Sequence, residues 1–298
     1  MGDEPGSRRR ALLLVNSAAR RGTKGVDEAI GVLGDRFELV DHGDTDPGEL
    51  AEVIRSYRGR ADLVVLGGGD GTMSAALPAL LDLDIPLGVL PLGTANNLAR
   101  TLDLPKGVRD AAEIIVGGRT RRIDVGRVND RFFLTTASLG LSVRITEDLT
   151  AASKRRWGPL AYGLTAIRSL ARATPFKAEI RFAGQVLEPY AVQVVVGNGR
   201  YYGSALTVAE HARIDDGRLD LYVIESQPRW RLLLLVPALK KGSHAEKEKV
   251  VAASSRTFEI TTAVPRDIDV DGELATQTPA RFSVLPHVLE IFVPGNSK

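Results

Sequence analysis

The sequence predicts an α/β protein in two parts, an N-terminal domain built on a parallel sheet and a C-terminal, mostly antiparallel β domain. Three observations carry this. Short apolar runs alternate with helical patterns over the first 125 residues, the pattern of parallel strands covered by helices on both faces. Beyond residue 125 short strand-like runs separated by turn residues take over. At one strand-to-helix turn stands Gly67-Gly68-Gly69-Asp70-Gly71-Thr72, where four glycines let the backbone approach another group closely.

In chain order, the basic residues 1–10 read as a disordered tail. Strands are expected at 11–15, 37–40, 62–66, 86–90 and 121–125, and helices near 24–34, 47–57, 72–81, 94–102 and 108–116. Parallel sheets bind ligands at the carboxyl ends of their strands, which is where Asn16, the glycine run and Thr94 fall. Residues 125–134 read as a hairpin around Asn129-Asp130. Further strands are expected at 178–182, 191–196, 219–224, 256–260, 268–270, 281–285 and 288–293, interrupted by helices near 159–173 and 229–240. This gives an α/β domain of residues 11–125 and a β-rich domain of residues 126–298, the last residues being free to return to the first domain.

Bulk composition narrows the function classes. With 298 residues, 44% hydrophobic and 26% charged, the chain is that of a soluble globular protein able to bury a core. It has no cysteine, which excludes disulfides, thiolate catalysis and cysteine metal sites and fits a reducing compartment. A net charge of +2 gives no bulk case for nucleic acid, and the four histidines lack zinc-site spacing. No run approaches the roughly 18 apolar residues of a membrane span, and residues 11–15 are too short for a signal peptide core.

Three segments carry chemistry. The N–H groups of the glycine turn and of the first helical residues favour negative charge, so residues 67–72 read as a phosphate cradle. The GxxxxGK[ST] spacing is absent, and Asp70 stands inside the loop instead. A carboxylate beside phosphates calls for a bridging cation, for which Mg²⁺ is the usual choice. In Gly93-Thr94-Ala95-Asn96-Asn97, Thr94 is a candidate helix cap and the asparagines lie on the first turn. In Asp269-Val270-Asp271-Gly272-Glu273, alternation puts the two aspartates on one face and Gly272 turns Glu273 elsewhere. Phosphoryl transfer to an alcohol needs a base near the hydroxyl and a metal near the phosphates, and this turn offers carboxylates for both.

Taken together, the chain resembles the diacylglycerol kinase catalytic-domain family, the bacterial lipid kinases related to sphingosine kinases. The resemblance runs through Val15-Asn16, Gly68-Gly69-Asp70-Gly71-Thr72, Pro91 to Asn97, Ile123-Asp124-Val125-Gly126, Val196 to Gly203, Asp215 to Asp220 and Asp271-Gly272-Glu273. The GGDGT element alone is shared with NAD kinases and phosphofructokinases; its combination with GTANN and DGE is specific. The resemblance implies an NAD kinase/phosphofructokinase-like α/β domain and an antiparallel β-sandwich, with ATP in the cleft between them. It implies Glu273 as general base, with Asp70, Asp124 and Asp271 tied to catalytic Mg²⁺ or its waters. The phosphates would lie on Gly68 to Thr72, with Asn16, Gly93, Thr94 and Asn96 nearby. A structural Mg²⁺ would sit on Asp216 and the carbonyls near Arg213 and Arg218. Ser74-Ala75 and Asn97 depart from the family's usual Asn-Glu and Asp.

The expected activity is therefore transfer of the γ-phosphoryl group of ATP, with Mg²⁺, to a lipid hydroxyl in the cytoplasm. Lys154-Arg155-Arg156-Trp157 and Arg229-Trp230-Arg231 suit transient peripheral docking on the inner, anionic membrane face. The rivals are a kinase of a soluble acceptor such as NAD and a non-catalytic nucleotide- or lipid-binding protein.

Overall fold

The computed structural model describes residues 8–16, 25–141, 143, 174–199, 201–202, 206–207, 212–228 and 250–295. The chain divides into two compact units, residues 1–124 with 287–298 and residues 125–286.

The first unit begins with β1 (Arg10–Asn16), α1 (Val26–Arg36), β2 (Glu38–Thr45), α2 (Leu50–Ser56), β3 (Leu63–Gly68), α3 (Asp70–Leu83) and β4 (Leu87–Pro91). Two shorter helices, α4 (Asn97–Thr101) and α5 (Val108–Val116), lead into β5 (Thr120–Val128). β1 pairs in parallel with β2 and with β3, and β3 pairs in parallel with β4. Residues 11–15 and all of β3 and β4 are buried, which is why these strands read as unbroken apolar runs rather than as alternation. Leu33 of α1 and Ala112 and Ile115 of α5 pack with Leu13, Val65 and Leu90 in one core. β1 leads to β2 on one side and is flanked by β3 on the other, so the order reverses between β1 and β3. Such a switch point opens a crevice at the strand ends. Val15 is in register with Gly67, and Gly68 with Pro91, so Asn16, the glycine run and the 91–97 loop share that edge.

The second unit contains β6 (Arg131–Phe133), β7 (Thr136–Gly140), β8 (Phe176–Phe182), β9 (Gln185–Leu187), β10 (Tyr190–Gly197), β11 (Tyr201–Tyr202), β12 (Leu206–Thr207) and β13 (Leu219–Glu225). It continues with β14 (Val250–Ser255), β15 (Thr257–Thr262), β16 (Asp267–Val270), β17 (Glu273–Gln277) and the start of β18 (Ala280–Phe292). Antiparallel pairing joins β17-β16-β7-β10-β13-β14 in one layer and β9-β8-β15-β18 in another. Leu139, Val194, Leu221 and Ile268 of the first layer share a core with Ile180, Phe258 and Phe282 of the second, the packing of a β-sandwich.

β18 then crosses back. Ile291 pairs in parallel with Leu87 of β4, and the Val293 amide bonds the Arg119 carbonyl beside β5.

Several elements differ from the sequence reading. Strand β1 starts at Arg10, and Arg8 and Arg9 already donate to the Gly34 and Asp62 carbonyls, so residues 8–10 are part of the unit rather than of a tail. The expected helix over 94–102 shrinks to α4, because residues 93–96 close a loop of their own. β7, β14 and β17 were not expected, and the two strands at 281–285 and 288–293 are one, with His287 at φ 53° inside it. The helices near 159–173 and 229–240 lie outside the described residues.

Candidate active site

The first group of candidate residues gathers at the carboxyl edge of the parallel sheet in the first unit. Gly69 is the N-cap of α3 and offers no side-chain cap; its carbonyl accepts the Thr72 and Met73 amides at 3.0 and 3.2 Å. A 14-residue helix without a side-chain cap presents its first amides and the positive end of its dipole to whatever lies in front of it. Gly71, on that first turn, is exposed and has open space where a side chain would be. Thr72 is buried, fills the space that a side chain on Gly68 would need, and its Oγ1 accepts Asn16 Nδ2 at 3.2 Å.

The second loop crosses the first at its glycines: a Cβ on Gly93 would lie 2.5 Å from the Gly69 Cα. Asn96, at φ 48°, folds onto Gly93, accepting its amide at 3.0 Å and donating to its carbonyl at 2.8 Å. Thr94 is exposed and does not cap the helix that follows. That duty falls to Asp70, whose two carboxylate oxygens accept the Asn97 and Leu98 amides at 3.0 Å each. Asp70 thus pins α4 to the start of α3. The Asn97 side chain, missed as a contributor by the sequence reading, is buried beside it with Oδ1 lacking a hydrogen-bond partner. Asp124 is fully buried on β5 and accepts the His287 amide at 2.8 Å.

A hollow of about 200 Å³ lies in the same unit between residues 57–62 and 83–86, at the amino ends of β3 and β4. It sits at the edge opposite the glycine run, and the chemistry gathers at the other edge.

The second group lies in the second unit. Asp271 and Gly272, at φ 49° and 98°, form the two-residue turn between β16 and β17, the Asp-Gly pair that such a hairpin prefers. Gly272 N–H donates to Asp269 Oδ1 at 2.9 Å, and Glu273 follows the turn with its side chain exposed. The Asp271 carboxylate does not face outward with Glu273. It accepts the Leu134, Thr135 and Thr136 amides at 2.8, 2.9 and 3.0 Å and the Thr135 hydroxyl at 2.6 Å. Farther along, Asp216 Oδ1 accepts the Arg218 amide at 3.0 Å, and Arg213 pairs with Asp215 at 3.1 Å. Burial pushes the Asp220 carboxyl above its ordinary range, opposed by a bond from Ser254 and reinforced by the charge of Asp216.

Among the described residues no group of three His, Cys, Asp or Glu side chains could hold a metal ion. Asp70, Asp124 and Asp271 each accept backbone amides. The start of α3, without a side-chain cap, is the kind of helix end that favours an anion.

Comparison with known proteins identifies the family. Residues 10–128 match the family described as the diacylglycerol kinase catalytic domain. Residues 135–293 match that described as the YegS C-terminal NAD kinase beta sandwich-like domain. A diacylglycerol kinase of Mycobacterium tuberculosis is 33% identical over 244 residues, 78% of this chain and 77% of the relative. One from Staphylococcus epidermidis is 26% identical over 82% of this chain and 78% of its own. A crystal structure of a candidate diacylglycerol kinase from Bacillus anthracis str. Sterne superposes with a TM-score of 0.84 at 26% identity, covering 99% of both chains. The chain therefore belongs to the diacylglycerol kinase catalytic-domain family, enzymes that transfer a phosphoryl group to an alcohol.

Proposed function

We propose that this kinase transfers the γ-phosphoryl group of ATP to the hydroxyl of a diacylglycerol-like lipid. The observation that carries the reading is the uncapped start of α3 at Gly69, crossed by Gly93 and stapled by Asp70. The amides of residues 69–71 would orient the phosphates there, with Asn16, Thr72, Thr94 and Asn96 around them. Glu273 would accept the proton of the acceptor hydroxyl as its oxygen bonds to the γ-phosphorus and the bond from that phosphorus to the β-bridging oxygen breaks, releasing ADP. Mg²⁺, when bound with the triphosphate, would neutralise phosphate charge. The engaged carboxylates of Asp70 and Asp124 would reach it through water. Asp216, with the carbonyls of Arg213 and Arg218, is a second proposed Mg²⁺ site of structural character.

The lipid would be met at a membrane surface. No helix among the described residues is long and apolar enough to cross a bilayer. The basic segments carrying Trp157 and Trp230, proposed to dock on the inner face, lie outside the described residues. Pelleting with anionic but not neutral vesicles supports that docking, and equal pelleting with both removes it.

The test of activity uses labelled ATP and Mg²⁺ with diacylglycerol in mixed micelles, with NAD, or with no acceptor. Label in the lipid phase is the expected result. Label on NAD alone replaces the lipid reading with the soluble-acceptor one, and ATP binding without transfer to any acceptor leaves a binding protein. Glu273→Ala is expected to lose roughly a hundredfold or more of turnover while ATP still raises the melting temperature. Turnover near that of the parent rules out Glu273 as base.

A further inference from the structure

The segment that Asp271 grips has an unusual shape. Residues 134 and 135 form a bend between β6 and β7, and there three successive amides point at one carboxylate. In a strand, successive amides point to opposite sides. Here the amides form a small concavity of the kind that holds anions, filled by the Asp271 side chain. Aligned peptide groups leave their carbonyls on the other side, and these must also be satisfied.

Asn198 satisfies them. It follows β10, is 1% exposed, and donates its backbone N–H to the Thr135 carbonyl at 2.8 Å and its side-chain Nδ2 to the Leu134 carbonyl at 3.2 Å. The peptide group linking 134 to 135 therefore has its carbonyl on Asn198 and its amide on Asp271 Oδ1. The next peptide group has the same two anchors. Asp271 is in turn fixed at its own backbone, which donates to the Thr136 carbonyl at 2.9 Å, and Gly272 is fixed by Asp269. Glu273 is the next residue.

We propose that Asn198 is a positioning residue for Glu273, acting through the 134–136 bend and the Asp271 carboxylate. The proposal rests on the reading of Glu273 as the base. It reassigns Asp271 from the metal to the support of that base. Asparagine suits the task because it brings a second donor to the Leu134 carbonyl; an aspartate there would oppose one acceptor with another.

The experiment is the pH dependence of turnover for Asn198→Asp, Thr135→Val and Glu273→Gln beside the parent, with the donor KM measured throughout. Thr135→Val removes only the hydroxyl bond to Asp271 and keeps the buried volume, so it serves if Asn198→Asp does not fold. A displaced base loses roughly tenfold to a hundredfold in kcat with the donor KM within about twofold. It also makes turnover rise with pH as solvent hydroxide takes over, so the expected result is that both variants acquire the pH profile of Glu273→Gln. A variant that merely holds less folded protein lowers kcat by a constant factor and keeps the parent's profile. That outcome, or unchanged kcat, overturns the proposal. If Glu273→Gln itself turns over like the parent, the base assignment fails first and the proposal falls with it, a result distinct from failure of the Asn198 variants alone.

Discussion

Two glycines of the candidate cradle have opposite surroundings, and this separates folding from binding at single residues. At Gly93 an added Cβ would meet the Gly69 Cα at 2.5 Å, and that obstacle is backbone that cannot rotate aside. Gly93→Ala should therefore push the two loops apart, cost about 1–3 kcal/mol of stability and abolish ATP-dependent thermal stabilisation together. At Gly71 an added Cβ meets nothing within 4 Å, and the residue lies on the first turn of a helix that alanine favours. Gly71→Ala should leave the melting temperature equal or slightly raised while weakening ATP binding at least roughly tenfold, because the methyl group enters the space in front of the amides. Calorimetric unfolding with and without ATP measures both. A Gly71→Ala protein that binds ATP as the parent does would show that phosphate does not occupy this turn.

At the level of elements, the amino ends of β1 and β3 are joined by a two-pronged pair. Arg10 donates to Asp62 from Nε and Nη2 at 3.2 and 2.8 Å, and its backbone amide adds a third bond at 2.7 Å. The Arg10 side chain holds the Asp62 carboxyl below its ordinary 3.8, against the opposing effect of partial burial. A depressed carboxyl contributes stability above its unfolded value and loses it as pH falls through the folded one. The melting temperature of Arg10→Ala should then lie below that of the parent at pH 7, with the gap narrowing below about pH 4. An equal gap at pH 7 and pH 3 would assign the loss to packing instead. The same elements show how far the sequence was legible. The strands β1, β3 and β4 were readable because burial on both faces requires continuous apolar residues. β14, with the sequence VVAASS, and the acidic start of β17 carry no such pattern, because each is held by pairing on one side only. The glycine run and the Asp-Gly-Glu turn were visible as local motifs. The targets of Asp70 and Asp271 were not, since they lie 27 and 135 or more residues away and no spacing rule encodes them.

For the molecule as a whole, the two units differ in how their chain is laid out. The second unit is one continuous stretch, Val125–Pro286, with a core running from Val128 to Phe282. The first is discontinuous, because β18 returns after Pro286 and lies beside β4. Leu289, Ile291, Phe292 and Val293 are buried at 2% exposure or less, and Phe292 sits in the core with Leu13, Leu90 and Ile115. The returning segment is also tied by Thr120 to Glu290 at 2.6 Å and by the Arg119 guanidinium to the Gly295 carbonyl. Losing Phe292 alone from such a core costs about 3–5 kcal/mol, comparable with the whole stability of many domains. A fragment of residues 125–286 should therefore fold by itself and melt cooperatively. A fragment of residues 8–124 should not, until a peptide of residues 287–295 is added and completes the sheet. Far-ultraviolet circular dichroism during thermal melts, with and without the peptide, reads both outcomes. A cooperative transition in 8–124 alone would mean that β1 to β4 suffice without β18, and a second fragment lacking any transition would mean that its sandwich depends on the first unit.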